Sequence, residues 1–316
     1  MRIVYLGSGD IGLPTLLALH AASVEGQHEL LAVVTQPDKP VGRKLVLTPG
    51  PVKSFALAAG IPVLQPERLR RPEAVETLRA LAADVFVVFA YGQILLQSVL
   101  DLPAVACLNL HASLLPRHRG AAPIHAAVLA GDRESGLTVM FMDAGLDTGD
   151  ALLEVRTPIR RRETAGTLHD RLAALAPGAL FDALDLLAAG RAPRQPQDAA
   201  AATYAPKLER HSGRIDWTQD HRTLDRLVRG MHPWPGASTF WPGAAGPLGL
   251  KIHSALPVRR CAGEPGMVVR AGGRGLLVAA GSGGLLLRHV ELEGKRRMSA
   301  AEFLRGHPAA PGILLE

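Results

Sequence analysis

Asn109 and His111 stand two residues apart at the end of an apolar run, and further along the chain Asp143, Asp147 and Asp150 share one glycine-containing segment, M-D-A-G-L-D-T-G-D. An amide donor, an imidazole and a carboxylate able to orient it form a unit suited to acyl transfer. The amide stabilises an oxyanion, the imidazole moves a proton, and the carboxylate holds the imidazole. The residues alone leave open which of the three aspartates serves. Cys107, two residues before Asn109, raises the alternative of a Cys/His nucleophile, but a thiol inside an apolar strand is expected to be buried and inert.

These side chains need an element to position them. V-A-C-L-N-L-H, from Val105 to His111, alternates with a period of two and is predicted to be a buried strand with Cys107, Asn109 and His111 on one face. Asn109 and His111 then lie at its carboxyl end, where ligands bind in open α/β sheets. Pro116, Gly120 and Pro123 build the loop that follows. Upstream, R-I-V-Y-L, E-L-L-A-V-V-T, P-V-L-Q and D-V-F-V-V-F-A read as strands, alternating with helices near Thr15–Ala22, Val52–Ala59 and Pro72–Ala82. A helix from about Thr167 to Ala189, with Leu168, Leu172, Leu175 and Leu180, closes the unit. The alternation predicts a doubly wound, mostly parallel Rossmann-like α/β sheet over residues 1–189.

Residues 190–206, rich in proline and small residues without an apolar period, read as a linker. Beyond it, over 207–316, the helix-like D-H-R-T-L-D-R-L-V-R-G-M precedes short apolar runs separated by glycines. This pattern predicts a small C-terminal β-barrel.

The chain has 316 residues, 47% of them hydrophobic and 20% charged, which excludes wholesale disorder. Cys107 and Cys261 are the only cysteines, too few for a disulfide framework, and no Cys/His cluster has metal-ligand spacing. With no signal-peptide pattern and no long apolar span, a cytoplasmic protein without membrane contact is expected. The net charge of +6 is unevenly placed: residues 1–200 hold 19 Lys and Arg against 20 Asp and Glu, and residues 201–316 hold 16 against 9. A basic C-terminal part suits a polyanionic carrier, because Lys and Arg supply affinity through phosphates without reading bases.

Gly7-Ser-Gly-Asp-Ile-Gly12 is a literal G-x-G-x-x-G after a strand and before a helix, the pattern of dinucleotide binding. That fingerprint also needs an acidic residue ending the second strand, and E-L-L-A-V-V-T ends in Thr35 and Gln36 instead. A plain tight turn is expected.

N-L-H-A-S-L-L-P, followed by D-T-G-D, resembles the signature of the formyltransferases that use 10-formyltetrahydrofolate. R-G-A-A-P-I (Arg119 to Ile124), A-G-D (Ala130 to Asp132) and M-D-A-G-L-D-T-G-D are similar to the branch that formylates methionyl initiator tRNA. So are T-Q-P-D-K-P-V-G-R (Thr35 to Arg43), P-V-K, V-V-F-A-Y-G-Q-I-L (Val87 to Leu95), T-Y-A-P-K-L (Thr203 to Leu208), I-D-W and P-W-P-G. The first turn departs from the family, which usually has G-T-P where this chain has G-S-G.

The resemblance selects Asp147 as the carboxylate and implies that Asn109 and protonated His111 stabilise the oxyanion. It implies a folate site made by Ser113, Leu114, Leu115 and Pro116 with Phe89, Tyr91, Gly92 and Ile94, and no metal. It also implies an OB-fold-like form for the C-terminal barrel. Initiator methionyl-tRNA is the implied partner of a monomer, with Arg43, Lys44, Lys207 and Lys251 as expected contacts. The rivals are a formyltransferase for a small amine, such as a nucleotide sugar or purine precursor, and a non-catalytic RNA-binding module. The C-terminal charge argues against the first, and the Asn109, His111 and Asp147 set against the second.

Overall fold

The computed structural model describes residues 1–42, 45–243 and 246–316. In chain order its elements begin β1 (Arg2–Gly7), α1 (Leu13–Val24), β2 (Glu29–Val34), β3 (Lys39–Val41), β4 (Val46–Thr48), α2 (Pro51–Ala58), β5 (Val63–Leu64), α3 (Pro72–Ala80), β6 (Val85–Phe89), α4 (Gln97–Leu100), β7 (Ala106–His111) and β8 (Arg119–Gly120). They continue with α5 (Pro123–Ala130), β9 (Glu134–Phe141), β10 (Ala151–Pro158), α6 (Ala165–Ala188) and β11 (Tyr204–Ala205). Prolines open α1, α2 and α3 in the first turn, where a missing N–H costs no helical hydrogen bond.

One compact unit comprises Met1–Pro123, Glu134–Pro158 and His169–Ala205. Its seven-stranded sheet has the order β10-β9-β7-β6-β1-β2-β5. The pairings from β5 to β7 are parallel, and β9 and β10 add antiparallel strands at one edge. The central strands read as unbroken apolar runs because both faces are covered: Ile3, Val4, Tyr5 and Leu6 of β1 and every residue of β6 are buried. The chain leaves β1 toward β2 and β5, then returns to β6 and β7. The strand order therefore reverses beside β1, which is where open α/β sheets form their ligand crevice.

The G-x-G-x-x-G turn serves packing here. The Tyr5 hydroxyl donates to the carbonyl of Gly12 at 3.0 Å, and a Cβ on Gly7 would lie 2.6 Å from the Tyr5 ring. Ser8 closes the turn onto β2, its Oγ accepting from the Gln36 backbone N–H at 2.9 Å.

The other unit comprises Ile124–Arg133, Ile159–Leu168 and Pro206–Glu316. It holds α7 (His221–Gly230), β12 (Ala237–Gly243), β13 (Gly246–Val258), β14 (Val268–Gly272), β15 (Gly275–Ala279), β16 (Gly284–Leu292), β17 (Met298–Ser299) and α8 (Ala300–Gly306). α5 joins this unit because it packs closely on α7: a Cβ on Gly230 would lie 2.9 Å from the Leu129 side chain. The antiparallel sheet runs β12-β13-β16-β15-β14, with β17 on β16. Among the described residues the edges β12 and β14 do not pair with each other, so the expected barrel is not closed by a strand ladder. Residues 312–316 bridge the two edges instead. Ile313 accepts from Val268 N at 2.7 Å, and Glu316 accepts from Phe240 N at 2.8 Å. Trp217, Leu224, Trp241, Leu285 and Phe303 centre the core of this unit.

Residues 190–205 belong to the first unit, where they are hydrogen-bonded along their length, because their contacts are made by main chain and amide groups that carry no apolar period.

Candidate active site

β7 delivers Asn109 and His111 to the crevice. Asn109 pairs in register with Val88 on one side and Met140 on the other, so the strand is fixed from both flanks before it ends. His111 lies opposite Thr138, whose hydroxyl donates to the Ser113 carbonyl at 2.8 Å and accepts from Leu115 N at 3.1 Å. That fully buried threonine ties the S-L-L-P turn to β9.

Asp147 reaches the same place from the loop between β9 and β10. Its Oδ1 accepts from Asn109 Nδ2 at 3.4 Å, and its Oδ2 accepts from Gly120 N at 2.8 Å while standing 3.5 Å from His111 Nδ1. The backbone holds Asp147 at a φ of 54°, a left-handed conformation that aspartate tolerates better than most residues. Gly120 has a φ of 110°, and a Cβ there would lie 2.7 Å from the Ala205 carbonyl. Only glycine brings this N–H to the carboxylate without displacing the chain beside it.

His111 is 5% exposed. Its Nε2 lies 2.9 Å from the carbonyl oxygen of His118. A carbonyl only accepts, so Nε2 carries the hydrogen and Nδ1 is the nitrogen at which a second proton is gained or lost. Burial pushes the imidazole below its ordinary value of 6.5, against the opposing pull of Asp147 and of the His118 carbonyl. The resting imidazole is therefore neutral near pH 7. The protonated His111 expected from the resemblance is a form the ring would have to gain during the reaction. The charged form costs desolvation, and Asp147 offsets only part of that cost.

Cys107 is buried, donates weakly to Met142 Sδ at 3.8 Å, and has a thiol pushed up to about 12 by burial. It is not positioned as a nucleophile.

The residues expected to hold a folate divide in two. Phe89, Tyr91, Ser113 and Leu115 have their side chains buried, sent into the protein by period-two alternation and by the turn. Gly92, with a φ of 79°, and Ile94, 81% exposed, face outward, and Leu114 and Pro116 are half-buried. Gly92, Gln93 and Ile94 border a cleft of about 620 Å³ that Lys39, Arg68 and Arg70 also line. Lys207 and Lys251 are exposed, the latter 4.0 Å from Glu291. Arg43 and Lys44 lie outside the described residues. Sequence reasoning gave no role to His118 or Gln197 and read Gly120 only as a loop-building residue, although R-G and T-Y-A-P had been singled out by resemblance.

An amide, an imidazole and a carboxylate, gathered at the carboxyl end of a Rossmann-like strand, form a set suited to group transfer. The chain belongs to the formyl transferase family: residues 1–184 match the family's sequence profile and residues 207–308 that of its C-terminal domain. Over 315 residues it is 47% identical to the methionyl-tRNA formyltransferase of Geotalea uraniireducens (strain Rf4), covering 100% of this chain and 98% of that one. It is 48% identical over 316 residues to the methionyl-tRNA formyltransferase of Moorella thermoacetica, covering 100% and 99%.

Among solved structures, HypX from Aquifex aeolicus in complex with tetrahydrofolic acid shares the fold, with a TM-score of 0.63 and 20% identity over 96% of this chain. This chain spans 47% of the length of HypX. A sugar 3N-formyl transferase, WlaRD, aligns with a TM-score of 0.66 and 15% identity, covering 94% of this chain and 99% of its own. Among the described residues no helix is long and apolar enough to cross a membrane.

Proposed function

We propose that the protein transfers the formyl group of 10-formyltetrahydrofolate to the α-amino group of methionine esterified to initiator tRNA. The observation that carries the chemistry is the convergence of Asn109 and His111 on Asp147, at 3.4 and 3.5 Å. The acceptor is inferred from the full-length relatives.

The neutral amine adds to the formyl carbon, forming a C–N bond and placing negative charge on the formyl oxygen. Asn109 Nδ2 has two hydrogens; with one directed at Asp147, the other is free to stabilise that oxygen. His111 takes the proton lost by the amine at Nδ1 and returns it to N10 as the C–N10 bond breaks. Asp147 stands on the side where Nδ1 becomes charged, so it stabilises the imidazolium when it forms and not before. The cleft beside Gly92, Gln93 and Ile94 is of a size usual for small-molecule sites, roughly 300–1,000 Å³. Its Lys39, Arg68 and Arg70 suit the carboxylates at the tail of a folate. No step requires a metal.

The basic C-terminal part is proposed to hold the acceptor arm through its phosphates. Exposed Lys207, Arg210, Lys251, Arg259, Arg260 and Arg288 supply charge of the right sign, and binding there contributes proximity between amine and donor. The test is to supply purified protein with 10-formyltetrahydrofolate and either charged initiator tRNA or small amines, including amino sugar nucleotides. Formylated methionyl-tRNA as the dominant product supports this acceptor. Efficient use of a small amine with charged tRNA left unmodified would assign the enzyme to the small-amine branch.

A further inference from the structure

We propose that Gln197 is a positioning residue for Asp147, and that residues 194–205 form a strap setting the geometry between the two arms of the active site. The inference rests on the formyl-transfer reading of that site and extends it to a segment whose sequence reads as a passive connection.

Gln197 sits where the Asp147 loop needs holding. Its Nε2 donates to the carbonyl of Asp147 at 2.9 Å and to that of Gly149 at 2.7 Å. Its Oε1 accepts from Arg119 Nε at 3.0 Å and from Arg119 Nη2 at 2.7 Å. One half-buried amide thereby joins the backbone of the residue that faces His111 to the residue preceding Gly120, whose N–H holds the Asp147 carboxylate. A left-handed aspartate is an unfavourable backbone state and persists only where its surroundings over-determine it. The two hydrogen bonds from Gln197 to the carbonyls of Asp147 and Gly149 are such a constraint.

The rest of the strap is fastened to both arms. Before Gln197, Arg194 lies over the Phe141 ring at 3.8 Å, and Gln195 exchanges two main-chain hydrogen bonds with Ala151 at 2.9 and 3.0 Å. After it, Thr203 Oγ1 accepts from His118 N at 2.8 Å, and Tyr204 and Ala205 pair in parallel with Arg119 and Gly120. His118 is the residue whose carbonyl takes His111 Nε2. The partner of each end of the catalytic imidazole is thus fastened to one continuous strap, which ends at the residue before Pro206, where the second unit resumes. A chain cut before residue 194 would lose this clamp together with the basic part, so its inactivity would not isolate RNA binding.

The experiment is steady-state formylation of charged tRNA by full-length wild type, Gln197→Ala, Gln197→Glu and Gln195→Ala. Glutamate keeps the acceptor for Arg119 but removes both donors to the carbonyls. It serves as the second arm should the alanine variant fold poorly. Gln195 makes its bonds through main chain, so Gln195→Ala is expected to keep wild-type kcat. Both Gln197 variants are expected to lose roughly tenfold or more in kcat, the scale of a sub-ångström misplacement of a reacting group, with KM for donor and for tRNA within about twofold of wild type. Arg119→Ala should add little to the loss in Gln197→Ala, since the two act on one loop. An unchanged kcat in a folded Gln197→Glu enzyme, or a loss carried by KM for tRNA, would overturn the positioning role. Absence of formylation by the wild type would instead remove the acceptor assignment on which the inference rests.

Discussion

His111 Nδ1 and Asp147 Oδ2 face each other at 3.5 Å, beyond a good hydrogen bond, while the opposite ring nitrogen is bonded to the His118 carbonyl at 2.9 Å. The imidazole is held firmly on the side that does not titrate and loosely on the side that does. A buried base so arranged is neutral at rest and finds a waiting counter-charge only when it takes up a proton.

The first expectation concerns that proton. In the folded enzyme the His111 imidazole should titrate below its ordinary 6.5, because desolvation outweighs the opposing influence of Asp147 and of the His118 carbonyl. His111 then reaches half-protonation only at a pH below 6.5. Replacing Asp147 by asparagine removes the carboxylate charge that raises the value, so the midpoint should move lower still. Histidine NMR titration, with the resonance assigned through His111→Ala, reads both. A midpoint above 6.5 would contradict the resting neutral base.

Asp147→Asn should leave binding of the folate donor largely intact while lowering turnover, since Asp147 contacts Asn109, His111 and Gly120. Equilibrium binding of the donor measured beside kcat separates the two effects. Collapse of donor affinity with normal turnover at saturating donor would move Asp147 to the folate site.

Affinity for charged tRNA should fall steeply with added salt, because each phosphate contact releases counterions on binding, whereas donor affinity should barely change. Arg43→Ala should weaken catalysis on tRNA with donor binding spared. Filter binding across a salt series and kinetics of the variant check these points. A flat salt response would leave the C-terminal basic residues as solvated surface.

The strand carrying Asn109 and His111 was legible in the sequence because apolar alternation marks a half-turned face and the two polar residues break it at one end. β9 and β10 went unassigned: S-G-L-T-V-M-F is an apolar run bounded by Gly131 and Asp132 before it and by Asp143 and Gly145 after it, but it pairs antiparallel where alternation with helices implied parallel strands. Phe89, Tyr91 and Leu115 belong to motifs near the site, yet motif membership does not say which way a side chain points, and all three point inward. The roles of His118 and Gly120 are made by backbone atoms; the residue type of His118 does not announce its role, whereas Gly120 stands where only glycine fits. Gln197 works through one amide in a proline-rich stretch with no period, so composition classed it as a tether.

The most direct measurement is single-turnover transfer of a labelled formyl group from 10-formyltetrahydrofolate to charged initiator tRNA by wild type, Asn109→Ala and His111→Ala. Thermal melts and donor binding are to be recorded on the same preparations. Each variant should fold and bind donor but transfer formyl at least about 10²-fold more slowly, the scale for losing an oxyanion donor or a general acid/base. Near-wild-type transfer by either folded variant would contradict an active site built on Asn109, His111 and Asp147.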